Sequence, residues 1–372
     1  MIFLRDYRIA YTTDTELIDD IQFPQQVHWF PETYDKVKTG LFYPPHRMAE
    51  KVLDSSLVKD IRENRVKKQA FILASGNANF AGVPTKHYDN RLDYEYKSLA
   101  LSLTNVYAGR IAQAFGNIDH IMTDASACAS SLKVMMDVQT LIEFYGFNRI
   151  IVLSVEDQIN NAILQFFGET GASLTWKQEQ DGLLPSAFDN VNGGFRLGQG
   201  AVLAVFEDEQ TMLSRSASPK ARLLGASSGS EPCTNAIGQR EDGQGFANAI
   251  KGALHNAELD ADDIAIIKTH GTGTRSNNCS EKSGIESVFK DFIATSYKPR
   301  IGHTMGASGL LETCLLIEDL NKGIVPKILN RSNVDDRYLS EDITNPGGKI
   351  MSLAAGMGNI YAAAVFDVEC LR

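Results

Sequence analysis

Three short motifs of small residues enclose the side chains best suited to covalent chemistry. Cys128 lies in Ser126-Ala127-Cys128-Ala129-Ser130-Ser131. His270 lies in Thr269-His270-Gly271-Thr272-Gly273-Thr274, and His303 in Gly302-His303-Thr304-Met305-Gly306-Ala307-Ser308-Gly309. A thiol can accept an acyl group from a thioester. Two imidazoles can manage the charge that develops on a second acyl group. Together they suffice to join two thioesters through a carbon–carbon bond.

Each motif also has an ordinary reading. A lone cysteine is usually a small buried hydrophobe, and Cys233, Cys314 and Cys370 are read that way. Cys128 differs in its small neighbours and in the helix that the pattern starts on it. N–H groups and the dipole there favour thiolate and can hold an oxyanion. On local sequence alone the two readings of Cys128 stand level. His270 reads equally as a strand-end histidine bonded to its loop, although Thr272 and Thr274 offer hydroxyls to a polar substrate tail. His303 reads equally as a helix cap, although its surroundings are too small for ordinary core filling.

The elements that must position these groups follow from periodicity. Gln69 to Ala74, His120 to Thr123, Arg149 to Val155, Ala201 to Phe206, Ile264 to Thr269, Lys349 to Ala354 and Tyr361 to Val368 read as strands. Helices are expected over Lys59–Lys68, over Tyr94–Phe115 with Leu99, Leu103, Tyr107 and Ile111 inward, and from Cys128 to Tyr145. The last of these carries Leu132, Met135, Met136, Leu141 and Ile142 inward and stops at Gly146. Further helices are expected over Phe246–Ala257 and Leu310–Asn321. A catalytic group at a strand end, before a glycine-rich loop and helix, recurs in both halves and points to a duplicated α/β unit. Residues 1–68, broken by Pro24, Pro31, Pro44 and Pro45, are the least readable.

The 372 residues, 43% hydrophobic, are ample for a large core. A net charge of −10 argues against bulk affinity for nucleic acid or anionic membrane. The five cysteines are scattered without zinc spacing, as in a reducing compartment. The charged N-terminus lacks a signal peptide's apolar run, and no stretch reaches the ~20 apolar residues of a membrane helix. A cytoplasmic protein is expected.

SACASS, THGTGT and GHTMGASG, in this order, resemble the three active-site blocks of the β-ketoacyl-[acyl carrier protein] synthases, the ketosynthases of the thiolase-like superfamily. The spacings agree: 142 residues from Cys128 to His270 and 33 from there to His303. Lys298, Glu281 and Glu312 stand at positions of family lysine and glutamates. Pro185 to Val205, with Phe188-Asp189 and Gly194-Phe195, resembles the family's PFD…GF…GEGA segment, and Gly356-Met357-Gly358 its GFGG. The resemblance covers about residues 69–368. Departures are Gln199 for glutamate, Asn192 for arginine, Asn278 for aspartate, and Met357 for the phenylalanine that gates the acyl pocket in relatives.

The resemblance implies a duplicated α-β-α-β-α five-layer fold with two mixed sheets, divided into residues 1–208, carrying the cysteine, and 209–372, carrying the histidines. It implies a decarboxylative Claisen condensation in fatty acid or polyketide biosynthesis. Cys128 would carry the acyl group, and its N–H with that of Met357 would form the oxyanion hole. His270 and His303 would polarise a malonyl thioester, Lys298 with Glu281 or Glu312 would organise the charge, and Thr272 and Thr274 would bind pantetheine. No metal or redox cofactor is required; the substrates would be carried on the phosphopantetheine of an acyl carrier protein or of CoA. An acyl carrier protein is the implied partner. A homodimer through the strand around Asp119 to Thr123 is also implied, a heterodimer with a related subunit staying open. Arg62, Arg65, Lys67 and Lys68, otherwise a solvated helix face, are the candidate carrier patch. Rival readings are a non-decarboxylating acyltransferase or cyclising synthase, a non-catalytic partner subunit, and a Cys-His hydrolase.

Overall fold

The computed structural model describes residues 1–11, 49, 52–53, 55–76, 103–156, 166–175, 178–179, 181–189, 193–215, 218–233, 235, 237–331, 335–344 and 347–368. Along these run strands β1 (Ile2–Tyr11), β2 (Gln69–Ala74), β3 (His120–Asp124), β4 (Arg149–Glu156), β5 (Gly200–Asp208), β6 (Ala221–Ser230), β7 (Ile264–Lys268), β8 (Ala294–Thr295), β9 (Ile324–Val325), β10 (Ile343–Thr344), β11 (Lys349–Gly356) and β12 (Ile360–Asp367). The helices are α1 (Ser56–Glu63), α2 (Thr104–Ala112), α3 (Ser130–Glu143), α4 (Glu209–Leu213), α5 (Gln244–Ala257), α6 (Arg275–Glu286), α7 (Lys298–Ile301) and α8 (Ser308–Asn321).

The strand order β3-β2-β4-β5-β1-β6-β12-β11-β7-β8 contains the same five-strand pattern twice. Outward from β1, the pairs with β5 and β4 are antiparallel and those with β2 and β3 parallel. Outward from β6, the pairs with β12 and β11 are antiparallel and those with β7 and β8 parallel. The expected two mixed sheets therefore meet edge to edge. A three-residue pairing of β1 with β6, Ile2 opposite Leu223 to Leu4 opposite Ala221, joins them into one ten-stranded ladder.

Strand alternation sorts side chains into layers. Ile72, Val152, Val202, Ala204, Ala362 and Phe366 point into a central core packed by α3 and α8. Their neighbours Phe71, Leu73, Ile151, Leu153 and Leu203 face α1 and α2. Met351, Leu353, Ala363 and Val365 face α5 and α6. Strands covered on both faces show no polar alternation, which explains their near-continuous apolar runs. The five α-β-α-β-α layers follow.

Several local expectations shift. The first helix is Ser56–Glu63 rather than a run to Lys68. Of the helix expected over Tyr94–Phe115, residues 94–102 lie outside the described set, and Leu103 is an exposed N-cap rather than an inward side chain. Met136 is likewise exposed. Helix α3 begins at Ser130, after a 3-10 turn, not at Cys128. Strands β1 and β6 are additions to the sequence reading. Arg5 and Arg8 in β1, and the Ser/Gly-rich end of β6, hide them from hydropathy. Asn192 and Cys370 fall outside the described residues.

Candidate active site

Strand β3 ends at Asp124, and the chain turns through a 3-10 segment, Ala127–Ala129, into α3. Ala127 has φ 48°, a left-handed conformation that non-glycine residues avoid. The turn throws Cys128 inward, where it is 7% exposed. Gly356, the last residue of β11, backs directly on it. A Cβ on Gly356 would lie 2.5 Å from the Ser126 carbonyl oxygen and 3.3 Å from the Cys128 nitrogen. Only glycine allows that approach. The following residue, Met357, is half-buried and packs with Cys128, Phe167, Phe195, Leu197 and Met305. The Cys128 sulfur lies 3.9 Å from that of Met305.

The second half repeats the turn. A 3-10 segment, Met305–Ala307, precedes α8, and Met305 has φ 43°. The two turns and helices face each other: the Leu310 N–H donates to Ser131 Oγ at 3.0 Å. His303 enters just before this turn. Its N–H donates to the Arg196 carbonyl at 2.7 Å, and its carbonyl accepts from Gly198 at 2.9 Å. Ring Nδ1 is 2.9 Å from Ser308 Oγ, and the edge-on Phe195 ring lies 4.7 Å away. The imidazole is fixed from both sides. His303 therefore does not cap α8; Ser308 holds its ring.

His270 leaves the end of β7. Its ring meets that of His303 edge-on at 5.6 Å between centroids. Its Nδ1 is buried without a partner among the described residues. Glu281 on α6 accepts hydrogen bonds from the backbone N–H groups of His270 and of Gly271, the latter at 2.8 Å, and from Asn277 Nδ2 at 2.8 Å. It thus holds the loop. Glu312 is the ion-pair partner of Lys298, Nζ to Oε1 2.8 Å. A second ammonium, Lys268 Nζ, sits 3.2 Å from Glu312 Oε2. Lys298, Lys268, Glu281 and Glu312 are all fully buried.

Cys128, His270, His303, Thr272, Thr274 and Met357 share one cavity of about 300 Å³. Thr272 and Thr274 hydroxyls are 3.1 Å apart, and Thr274 also caps α6 by accepting from the Asn277 N–H. Asn278 Oδ1 accepts from the N–H of Phe188 at 3.2 Å, so this departure ties the 185–189 segment to α6. Gln199 is buried. Among the described residues, no group of three or more His, Cys, Asp or Glu is placed to hold a metal ion. No helix of the described residues is long and apolar enough to cross a membrane.

Burial dominates the electrostatics. It pushes the Cys128 thiol up to about 12, with Lys298 pulling the other way and Glu156 adding to the rise. Burial thus opposes the thiolate that the turn and helix start favour. Burial first, then Lys298, hold both imidazoles well below their ordinary value. Both are neutral at working pH.

The candidate carrier patch lies away from the cavity. Lys68 donates to the Tyr145 carbonyl at 2.8 Å, and Arg62, Arg65 and Lys67 gather around Gln69 and Asn117 at the start of β2. The cavity lies at the other end of that strand, where Gly76 approaches Ala127, roughly 20 Å away at ~3.3 Å per residue. The residues missed are Lys268, Ser308, Met305, Phe167 and Asn277. A lysine closing the apolar run Ile264-Ala265-Ile266-Ile267 is a signal for the first. The others carry no mark until the turns are folded.

Residues 48–211 match the family model described as Beta-ketoacyl synthase, N-terminal domain, and residues 221–332 match Beta-ketoacyl synthase, C-terminal domain. The 3-oxoacyl-[acyl-carrier-protein] synthase 2 of Mycobacterium leprae is 27% identical over 255 residues, 67% of this chain and 60% of that protein. The actinorhodin polyketide putative beta-ketoacyl synthase 1 of Streptomyces coelicolor is 25% identical over 298 residues, 76% of this chain and 63% of its own length. The chain thus spans less than two thirds of these relatives. Among solved structures, a beta-ketoacyl synthase from Burkholderia phymatum STM815 superimposes with a TM-score of 0.75 at 20% identity, covering 99% of both chains. The AntDE:AntF complex, a type II PKS acyl-carrier protein with its ketosynthase bound to the hexaketide, gives 0.72 at 20% identity over 86% of this chain and 82% of the other. At these identities the likeness establishes the thiolase-like ketosynthase fold.

Proposed function

The chain belongs to the β-ketoacyl synthase family, and from that premise we propose that it is a condensing enzyme joining a Cys128-bound acyl group to a malonyl thioester with loss of carbon dioxide. One observation carries the proposal. The thiol and both imidazoles line one cavity of about 300 Å³.

In the first half-reaction the Cys128 sulfur attacks the acyl carbon of a carrier thioester, and the carrier leaves as a thiol. The thiol is protonated at rest, so its proton departs as the bond forms; the neighbouring neutral imidazoles are the available acceptors. The N–H groups of Cys128 and Met357 would hold the oxyanion. In the second, the bond from malonyl C2 to its carboxylate breaks and carbon dioxide leaves. The electron pair passes into an enolate held by N–H donors of His270 and His303. C2 then attacks the acyl carbon, and the bond to the Cys128 sulfur breaks. Thr272 and Thr274, at the cavity wall, would bind the pantetheine amides, and an acyl carrier protein is the partner this arm requires. No further cofactor is needed for these steps.

The experiment is intact-mass analysis with a panel of acyl carrier proteins, alongside carbon dioxide release from malonyl carrier protein. Acyl adducts and carbon dioxide together are expected. Adducts with no carbon dioxide would move the assignment to a non-decarboxylating transferase.

A homodimer through β3 accompanies this reading. Strand β3 is the outer strand of the ladder, and Ile121 is exposed on it, with Phe144 and Tyr145 exposed just after α3. Such an edge invites pairing, and a twofold partner covers it. Sedimentation at micromolar concentration should give twice the chain mass; a stable monomer would reject the pairing.

A further inference from the structure

Lys268 ends β7 two residues before His270, and the reaction as described makes no use of it. Burying an ammonium group is costly, and an apolar residue would continue the strand Ile264-Ala265-Ile266-Ile267 with no such cost. Yet Lys268 is fully buried. Its Nζ is 3.2 Å from Glu312 Oε2 and donates to the Leu353 carbonyl at 3.0 Å. Lys298 takes the other oxygen of the same carboxylate at 2.8 Å.

The charged groups around the imidazoles come from four elements. Lys268 on β7 and Lys298 on α7 oppose Glu281 on α6 and Glu312 on α8. Glu156, at the end of β4, adds negative charge on the Cys128 side. Burial pulls the Lys268 ammonium down and pushes the Glu281 carboxyl up, with Glu312 and the loop N–H groups opposing these shifts; with all four groups charged, the two lysines match the two carboxylates behind the histidines. Without Lys268 they would carry a net negative charge. The second substrate arrives there as a carboxylate and passes through an enolate, so that charge would repel it. It would also favour imidazolium over neutral imidazole.

We propose that Lys268 is a positioning residue for the decarboxylating half-reaction: it pins Glu312 through Oε2 and balances the buried carboxylates, so the two histidines meet a carboxylated extender as neutral hydrogen-bond donors. The inference rests on the condensing reading above. Lys268 exchanges no proton and touches no substrate. In keeping with the geometry, Lys268 joins burial and Lys298 in holding both imidazoles down.

The test compares Lys268→Met with Lys268→Gln, which keeps a donor toward Glu312 and Leu353 but not the charge. Three quantities are read: acyl loading by intact mass, carbon dioxide release from malonyl carrier protein against pH, and histidine titration by nitrogen NMR. Both variants should load acyl groups within about threefold of the native rate at pH 8. Carbon dioxide release near neutral pH should fall roughly tenfold, and its acid limb and the histidine titrations should move up by about one pH unit. Unchanged acid limbs and titrations in folded variants would overturn the proposal. So would a loss of loading and release in equal proportion in both, which marks mere scaffolding. If the native protein releases no carbon dioxide, the condensing reading fails, while the titrations of the Gln variant still decide the charge-balancing role.

Discussion

Cys128→Ala is expected to abolish acyl loading, a loss on the order of 10⁴–10⁶-fold, while Cys233→Ala and Cys314→Ala load normally. Cys314 lies fully buried on α8 in the central core, and Cys233 is partly exposed and does not line the cavity. The pH dependence distinguishes this site from a reactive surface thiol. A thiol at about 12 holds a thiolate fraction of only ~10⁻⁴–10⁻⁵ near neutral pH. Alkylation of Cys128 in the free protein should therefore be slow and climb about tenfold per pH unit from 7 to 10. Adducts at neutral pH should form first on the partly exposed Cys233 and Cys279. A plateau at Cys128 above pH 8 would show that the turn lowers the thiol despite its burial. Either way the adducts are mapped by peptide mass.

Most of what places the reacting groups is local and so is legible in the sequence. Small residues at SACASS and GHTMGASG mark turns too tight for bulk, and an apolar run ending at THGTGT marks a strand delivering a histidine. What stays hidden is long-range. The partner of Lys298 lies 14 residues ahead on α8, and Glu281 is an equally good candidate by sequence. Geometry separates them: Glu281 is saturated by backbone N–H groups and Asn277, leaving Glu312 to both lysines. The balance at the Cys128 thiol is hidden for a related reason. A dipole can be inferred from a helix start, but desolvation depends on which other layers close over the turn. Gly356 and Met357, more than two hundred residues downstream, supply that cover. The basic residues 62–68 show the opposite case. They are dense in sequence, but they lie at the end of β2 away from the cavity.

The duplication is clearer in space than in sequence. Ala127 and Met305 share an unusual backbone conformation at the start of matching turns, and α3 and α8 follow each as equal helices in the central layer. One copy of the turn carries Cys128. The other carries Gly306 at the corresponding place, where a Cβ would lie 2.3 Å from the Gly76 nitrogen. A single cavity shared by two similar halves follows: the second turn is filled by backbone, and its histidine, His303, lines the same cavity as Cys128.

This sharing sets the last expectation. His303→Ala should leave acyl loading within about tenfold of native and cut carbon dioxide release and condensation by roughly 10²–10⁴-fold. Ser308 Oγ lies 2.9 Å from Nδ1, so Nε2 is the nitrogen left for substrate; with Nδ1 accepting from Ser308, the neutral ring carries its hydrogen on Nε2 and donates from there. Burial and Lys298 secure that state by lowering the imidazole. The sign is definite: a lowered histidine stays neutral to more acidic pH, so the acid limb of carbon dioxide release should lie below the ordinary imidazole range. In the proposed mechanism loading depends less on this ring, because the oxyanion would be held by the N–H groups of Cys128 and Met357. The informative quantity is the ratio of the two losses, measured on one preparation by intact mass and by carbon dioxide release. If loading and release fall in the same proportion, His303 serves both half-reactions, and the division of labour between the two histidines is wrong.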